Sequence, residues 1–189
     1  MGKRSNFDKI PKDLYQTTDP RAVAPLLPHL KPHTRFSEPC SGDLALVRQL
    51  EAAGHHLFWA SDIVGRDVTT VVSGVPVTRT VIAIDALKLT TPMQQSDCII
   101  SNPPWTRTKK NPIMHQLIEH FRKHNKAWLL LDAEWAFTKQ SAPYMKYCSA
   151  FVAIGRVIWI PGTKMTGKDS CAWYCFEQQT CETRFYGRE

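Results

Sequence analysis

The chain has 189 residues, of which 43% are hydrophobic and 22% charged, with a formal net charge of +7 and an isoelectric point near 9.2. This is the composition of an ordinary soluble globular protein, large enough for a substantial core and most simply one domain over residues 1–189. No apolar stretch approaches the roughly 20 residues of a membrane span, and the basic residues 1–6 lead into no hydrophobic signal region, so a cytoplasmic protein without membrane contact is expected. The excess of positive charge favours a polyanionic partner.

In chain order, residues 20–30 read as a short helix interrupted by Pro25 and Pro28, and residues 35–39 as a short strand. Residues 43–53 form a predicted helix with Leu44, Leu46, Val47 and Leu50 on its apolar side, stopped by Gly54. A strand at 57–62 follows, then a β-branched, alternating stretch over 68–84 with a Ser73-Gly74 turn signal, read as a strand pair leading into Asp85. Next come a strand at 97–101, a helix at 112–123, a buried strand at 127–132 and a helix at 138–147. Strands at 151–160 and 171–176 close the pattern, with no helix between them, which predicts an antiparallel edge pair. Alternating strands and helices predict an α/β domain with a mostly parallel sheet covered on both faces.

The six cysteines (40, 98, 148, 171, 175 and 181) form no CxxC pair and are expected as buried free thiols, with Cys171, Trp173 and Cys175 on one side of a sheet. His115, His120 and His124 share one predicted helix, but no Cys or carboxylate motif completes a ligand set, so no metal site is expected.

The most informative feature is the strand 97–101 running into Asn102, Pro103, Pro104 and Trp105. Two prolines remove two backbone donors and fix two φ angles, and each pushes its predecessor toward extended backbone. The loop therefore presents an amide side chain, bare carbonyls and a flat ring around one small space, suited to a planar amino-bearing group. Ligands in open α/β sheets bind at the carboxyl ends of strands, and Glu38, Asp62, Asp85 and Asn102 all fall at such ends. Any one of them alone could cap a helix or form a turn. Four on one rim are the pattern of a nucleoside-cofactor crevice.

Two motifs carry a resemblance. Glu38-Pro39-Cys40-Ser41-Gly42-Asp43 opens a helix, and Ser101-Asn102-Pro103-Pro104-Trp105 follows some sixty residues later. Together they resemble the S-adenosylmethionine-dependent amino-methyltransferases, whose cofactor loop reads roughly D/E-P-x-x-G-x-G and whose catalytic loop reads D/N/S-P-P-Y/F/W. Tyr15-Gln16-Thr17-Thr18-Asp19-Pro20, placed upstream, makes the order that of γ-type adenine methyltransferases. The segment from Arg156 through Trp159 to Gly162, continuing to Tyr174, is similar to short phage and prophage DNA adenine methyltransferases.

The resemblance implies a Rossmann-like methyltransferase fold with a mostly parallel seven-stranded sheet and an antiparallel edge strand, in a bacterial host cell. It implies S-adenosylmethionine as cofactor, with Gly42 and the following helix start near its carboxylate, Glu38 beneath its amino-acid part, and Pro39, Cys40 and Asn102 also among the cofactor contacts. Asp62 would meet the ribose hydroxyls, Asp85 and Ala86 the adenine ring, and Tyr15 and Thr17 the methionine end. Asn102 and Pro103 would accept hydrogen bonds from the target amine, with Pro104 fixing the loop and Trp105 stacking on the base. Arg107, Lys109 and Lys110 form a basic loop at the mouth of this pocket, suited to phosphate. Lys164 and Lys168 could extend that surface. DNA adenine is the implied substrate, with RNA adenine, protein glutamine and an inactive nucleic-acid-binding relative as alternatives. No separate base-reading domain is expected, hence low or short sequence specificity. One departure from the pattern is Leu44, where the family carries a second glycine.

Overall fold

A computed structural model of the chain describes residues 14–72 and 74–188. Its strands are β1 (Arg35–Glu38), β2 (His56–Asp62), β3 (Arg66–Val72), β4 (Val75–Ala83), β5 (Cys98–Ser101), β6 (Ala127–Asp132), β7 (Cys148–Gly155), β8 (Cys171–Phe176) and β9 (Arg184–Tyr186). They join one nine-stranded sheet in the order β3-β4-β2-β1-β5-β6-β8-β7-β9. Strands β4, β2, β1, β5 and β6 run parallel. The hairpin partner β3 supplies an antiparallel edge, and β8 is antiparallel to both β6 and β7.

Nine strands stand where seven were expected. The β3–β4 hairpin puts a strand outside β4, and β9 pairs parallel with β7 beyond the late antiparallel pair. That late pair therefore lies inside the sheet, not at its edge. Strand β9 is three mostly exposed residues, too short to show a period of two.

Period-two alternation divides the core. Cys98, Ile100, Trp128, Leu130, Cys171, Trp173 and Cys175 face one layer, with α1 (Pro20–Val23) and α2 (Ala45–Ala52) packed over it. Ile99, Ala127, Leu129, Leu131, Ala172 and Tyr174 face the other, beside α3 (Thr91–Gln95) and α4 (Ile113–His124). The Cys-Trp-Cys side predicted for β8 is thus the side observed, and all six cysteines are free thiols.

Two predicted elements shrink. The helix expected at 138–147 is one turn, α5 (Ala142–Met145), preceded by a 3-10 turn, Ala133–Phe137. The hydroxyls of Thr138 and Ser141 donate to the carbonyls of Trp135, Ala136 and Thr138, holding the chain in turns instead of helix. The strand expected to reach residue 160 stops at Gly155, whose φ of 90° leaves the extended region. Beyond it, the Ile158 N–H is taken by the Asp19 carboxylate, 2.7 Å away, and not by a neighbouring strand.

Candidate active site

Strand order reverses at β1, which has β2 on one side and β5 on the other. A switch point of this kind is where open α/β sheets place their ligand crevice, at the carboxyl ends of the strands. Glu38 ends β1, Asp62 ends β2, and Asn102 follows β5, so three of the four rim residues converge there. Asp85 lies just beyond β4, where its carboxylate caps the 3-10 turn Ala86–Lys88 by accepting from Leu87 N–H at 3.0 Å.

The loop after β1 is built tightly. Ser41 bonds to the carbonyl of Ser61 through both its N–H and its hydroxyl. Gly42 N–H donates to Asp62 Oδ2 at 2.9 Å. Gly42 has a φ of 51°, and a side chain there would collide with the Gln16 amide above it. Leu44 also takes the left-handed region, at φ 65°, yet is only 1% exposed because its side chain turns into the core. The residue that replaces the expected glycine therefore points away from the crevice.

Glu38 lies on the crevice floor at 1% exposure, with neither carboxylate oxygen hydrogen-bonded. Burial pushes its carboxyl well above the usual carboxylate range, and the Asp62 charge adds to that. The Ser101 hydroxyl and the Asn102 N–H pull the other way without completing a hydrogen bond to it; Ser101 Oγ is itself buried and unpartnered. Burial also raises the Cys40 thiol, helped by Glu38, Asp62 and Asp85, so Cys40 is a protonated, weakly nucleophilic wall. Asp62 binds Gly42 N–H, Val64 N–H and the Arg66 guanidinium.

Across the crevice runs a strap of residues 15–19. Tyr15 accepts from Asn102 Nδ2 at 3.2 Å, Gln16 Oε1 from Asp43 N–H at 3.2 Å, and the Thr17 carbonyl from Gln49 Nε2 at 2.6 Å. Asp19 receives Ile158 N–H and the Arg21 guanidinium. Burial would raise the Asp19 carboxyl, but Arg21 and the N–H groups of Ile158 and Arg21 outweigh it and hold it below its ordinary value. Because a carbonyl only accepts, the Tyr15 contact dictates which end of the Asn102 amide is nitrogen and frees Oδ1 as an acceptor.

Trp105 is oriented by its indole N–H, which donates to the Leu130 carbonyl at 2.9 Å. Trp159 meets it edge-on, with centroids 5.5 Å apart at 88°, and Tyr15 meets Trp159 at 6.3 Å. Trp159 rests against Gly167, where a side chain would strike its indole ring. Arg107 is ion-paired with Asp132 at 2.7 Å and reaches the Trp105 carbonyl, which braces the loop, while Lys109 and Lys110 are exposed. Pro39 and Pro103 are buried, Pro104 half-buried, and Ala86 buried in the core beside Leu89.

Gln16, Asp19 and Trp159 have roles that residue order alone did not assign. Gln16 and Asp19 lie within the upstream motif and Trp159 within the late one, but only the fold brings them to Gly42, Ile158 and Trp105. Of the helical histidines, His115 accepts from the Trp135 indole at 3.2 Å and His120 Nε2 donates to the Leu89 carbonyl at 2.7 Å.

No protein-family model and no curated protein matches the chain. Among solved structures it is similar to the methyltransferase subunit of a type I restriction-modification system from Streptococcus thermophilus, with a TM-score of 0.58 at 12% identity over 95% of this chain. The chain spans about half of that subunit, 48% of its length. Weaker likenesses are to the M protein of type I restriction enzyme EcoKI (TM-score 0.46, 10% identity, 91% of this chain and 48% of that one) and to a dimethyladenosine transferase from Plasmodium falciparum (0.42, 13%, 82% and 59%). The first likeness gives the chain the methyltransferase fold.

Proposed function

We propose that the chain is an S-adenosylmethionine-dependent methyltransferase that modifies the exocyclic N6 amine of adenine in DNA, at a short or degenerate sequence. The observation that carries this reading is a pairing at neighbouring strand ends. Glu38 is a buried carboxylate without a partner, and Asn102 is an amide whose nitrogen is already committed to Tyr15.

The donor set fits the cofactor. Two orphaned carboxylate oxygens on the floor suit an ammonium group, which would draw Glu38 into its charged form. Asp62 has acceptor capacity left for ribose hydroxyls beside the bonds it makes, and Asp85 sits at the next strand end for the adenine amine. When bound, S-adenosylmethionine supplies a methyl group activated on a sulfonium sulfur. Asn102 Oδ1 and the Pro103 carbonyl would accept hydrogen bonds from the two N–H groups of the target amine, directing its lone pair toward that methyl. The N–C bond would form as the carbon–sulfur bond breaks, and the amine would then lose one proton to solvent. Trp105 offers a ring face held in one orientation by Leu130. Positioning supplies most of the acceleration. The adenine must leave the duplex to reach this slot.

The test is incubation with methyl-labelled cofactor and, in parallel, unmethylated plasmid DNA, RNA or a release factor, followed by digestion and chromatography. Label in N6-methyladenine from the DNA is the expected result; label in RNA alone or in protein glutamine overturns the substrate assignment. Asn102→Ala should lower kcat about 10²–10³-fold, the range for removing one polar group aimed at the reacting centre, while cofactor affinity stays nearly constant.

A further inference from the structure

Phe137 is the most exposed large apolar side chain among the described residues, at 85%. It ends the 3-10 turn Ala133–Phe137, which leaves the carboxyl end of β6. Strands β5 and β6 are parallel neighbours, so the turn stands on the same rim as Asn102 and Trp105. Two contacts join it to the Asn102–Trp105 loop and the helix that follows: the Arg107–Asp132 ion pair and the Trp135–His115 hydrogen bond.

The turn is rigid. Asp132 Oδ1 accepts from Glu134 N–H, and the Tyr174 hydroxyl donates to the carbonyls of Asp132 and Ala133. Trp135 is fully buried and anchors the turn in the core, two residues before the exposed ring. An aromatic ring held in water on a braced support loses little freedom when it enters another medium. Lys109, Lys110 and Lys139 are exposed on the adjoining loops; Glu134 is an acid on the turn itself. A polyanion whose interior is stacked and apolar is the partner that matches both features.

We infer that Phe137 is a wedge that enters the base stack of duplex DNA where the target adenine leaves it, holding the gap while the base occupies the slot beside Trp105. The inference rests on the DNA reading above. It assigns Phe137 to base extrusion and not to methyl transfer, so its loss should matter for paired substrates and little for unpaired ones.

The experiment compares Phe137→Ala, Phe137→Trp and the unaltered chain on unmethylated plasmid DNA, double-stranded or heat-denatured. Phe137→Ala should lower kcat/KM on the duplex about tenfold or more, in keeping with the loss of one base-stacking contact, and change it less than about threefold on single strands. Phe137→Trp should restore duplex activity, and calorimetric cofactor affinity should not move. Equal activity of all three on the duplex, or an equal loss on both strand forms, overturns the wedge. A wild-type dimer in sedimentation that Phe137→Ala dissociates also overturns it, since the ring is then a contact between copies. Failure of the unaltered chain to methylate either strand form instead removes the DNA reading, and the wedge with it.

Discussion

Glu38 carries opposing demands: a carboxylate at the strand end suits a cationic ligand, but burying it without a partner is costly in the free protein. Its folded pKa is raised, so its contribution to stability is full below the ordinary 4.5 and is lost as pH rises through the raised value. Glu38→Gln should therefore raise the melting temperature of the cofactor-free protein at pH 8 by about 2–4 °C, the shift for roughly 1 kcal/mol in a chain this size. The difference should vanish near pH 4, and cofactor affinity should drop about tenfold for the lost charge-assisted bond. Thermal melts at both pH values and calorimetry read this directly. Leu44 is the second informative residue. Leu44→Gly would relieve a left-handed backbone of about 1 kcal/mol but empty a fully buried site costing about 2–5 kcal/mol. A net loss in chemical denaturation is expected, and a gain would show that the side chain is not the reason for its place.

Among the elements, the strap over the crevice matters most. Residues 15–19 reach the Asn102 side chain, the loop after β1, α2 and the 156–170 segment through four separate hydrogen bonds. Asp19 is its far anchor. Its folded pKa is depressed, so its stabilisation is present above the ordinary 3.8 and disappears as pH falls through the lower value. Asp19→Ala leaves the Ile158 N–H without its acceptor and should cost about 1–3 kcal/mol at neutral pH. Amide exchange should quicken at Ile158 and Trp159 before it quickens in β6. The strap also explains why Gly42 is glycine: its positive φ and the Gln16 amide above it both exclude a side chain. Gly42→Ala should displace Gln16 and weaken cofactor binding more than it lowers the melting temperature.

The whole molecule combines a crevice whose strand ends carry the carboxyl groups of Glu38, Asp62 and Asp85 with a basic rim. Arg107 is consumed by Asp132, which leaves Lys109, Lys110, Lys139, Lys164 and Lys168 as exposed cations on loops near the carboxyl ends of the strands. If about four of them meet phosphates, DNA affinity should fall about a hundredfold between 50 and 200 mM salt, in proportion to released counterions. Fluorescence anisotropy with a labelled duplex measures that slope, and a flat response would remove the phosphate role. No helix among the described residues is long and apolar enough to cross a membrane.

Much of this was legible from residue order. The strand-to-proline junction at Asn102, the glycine of the loop after β1 and the parallel α/β alternation are local signals, carried by fixed φ angles, missing N–H groups and a period of two. The sequence therefore determined which strand ends bear polar residues, and with them the chemistry to look for. The tertiary structure decided what those residues can do. Sheet order made Glu38 and Asn102 neighbours, the strap chose which end of the Asn102 amide faces Tyr15, Asp132 tied Arg107 into an ion pair, and Leu44 was sent into the core. Strand β9, the shortened α5 and the exposed Phe137 were equally beyond local reading. Each depends on a partner dozens of residues away or on hydroxyls competing for backbone carbonyls, and such long-range competition leaves no periodic trace in the chain.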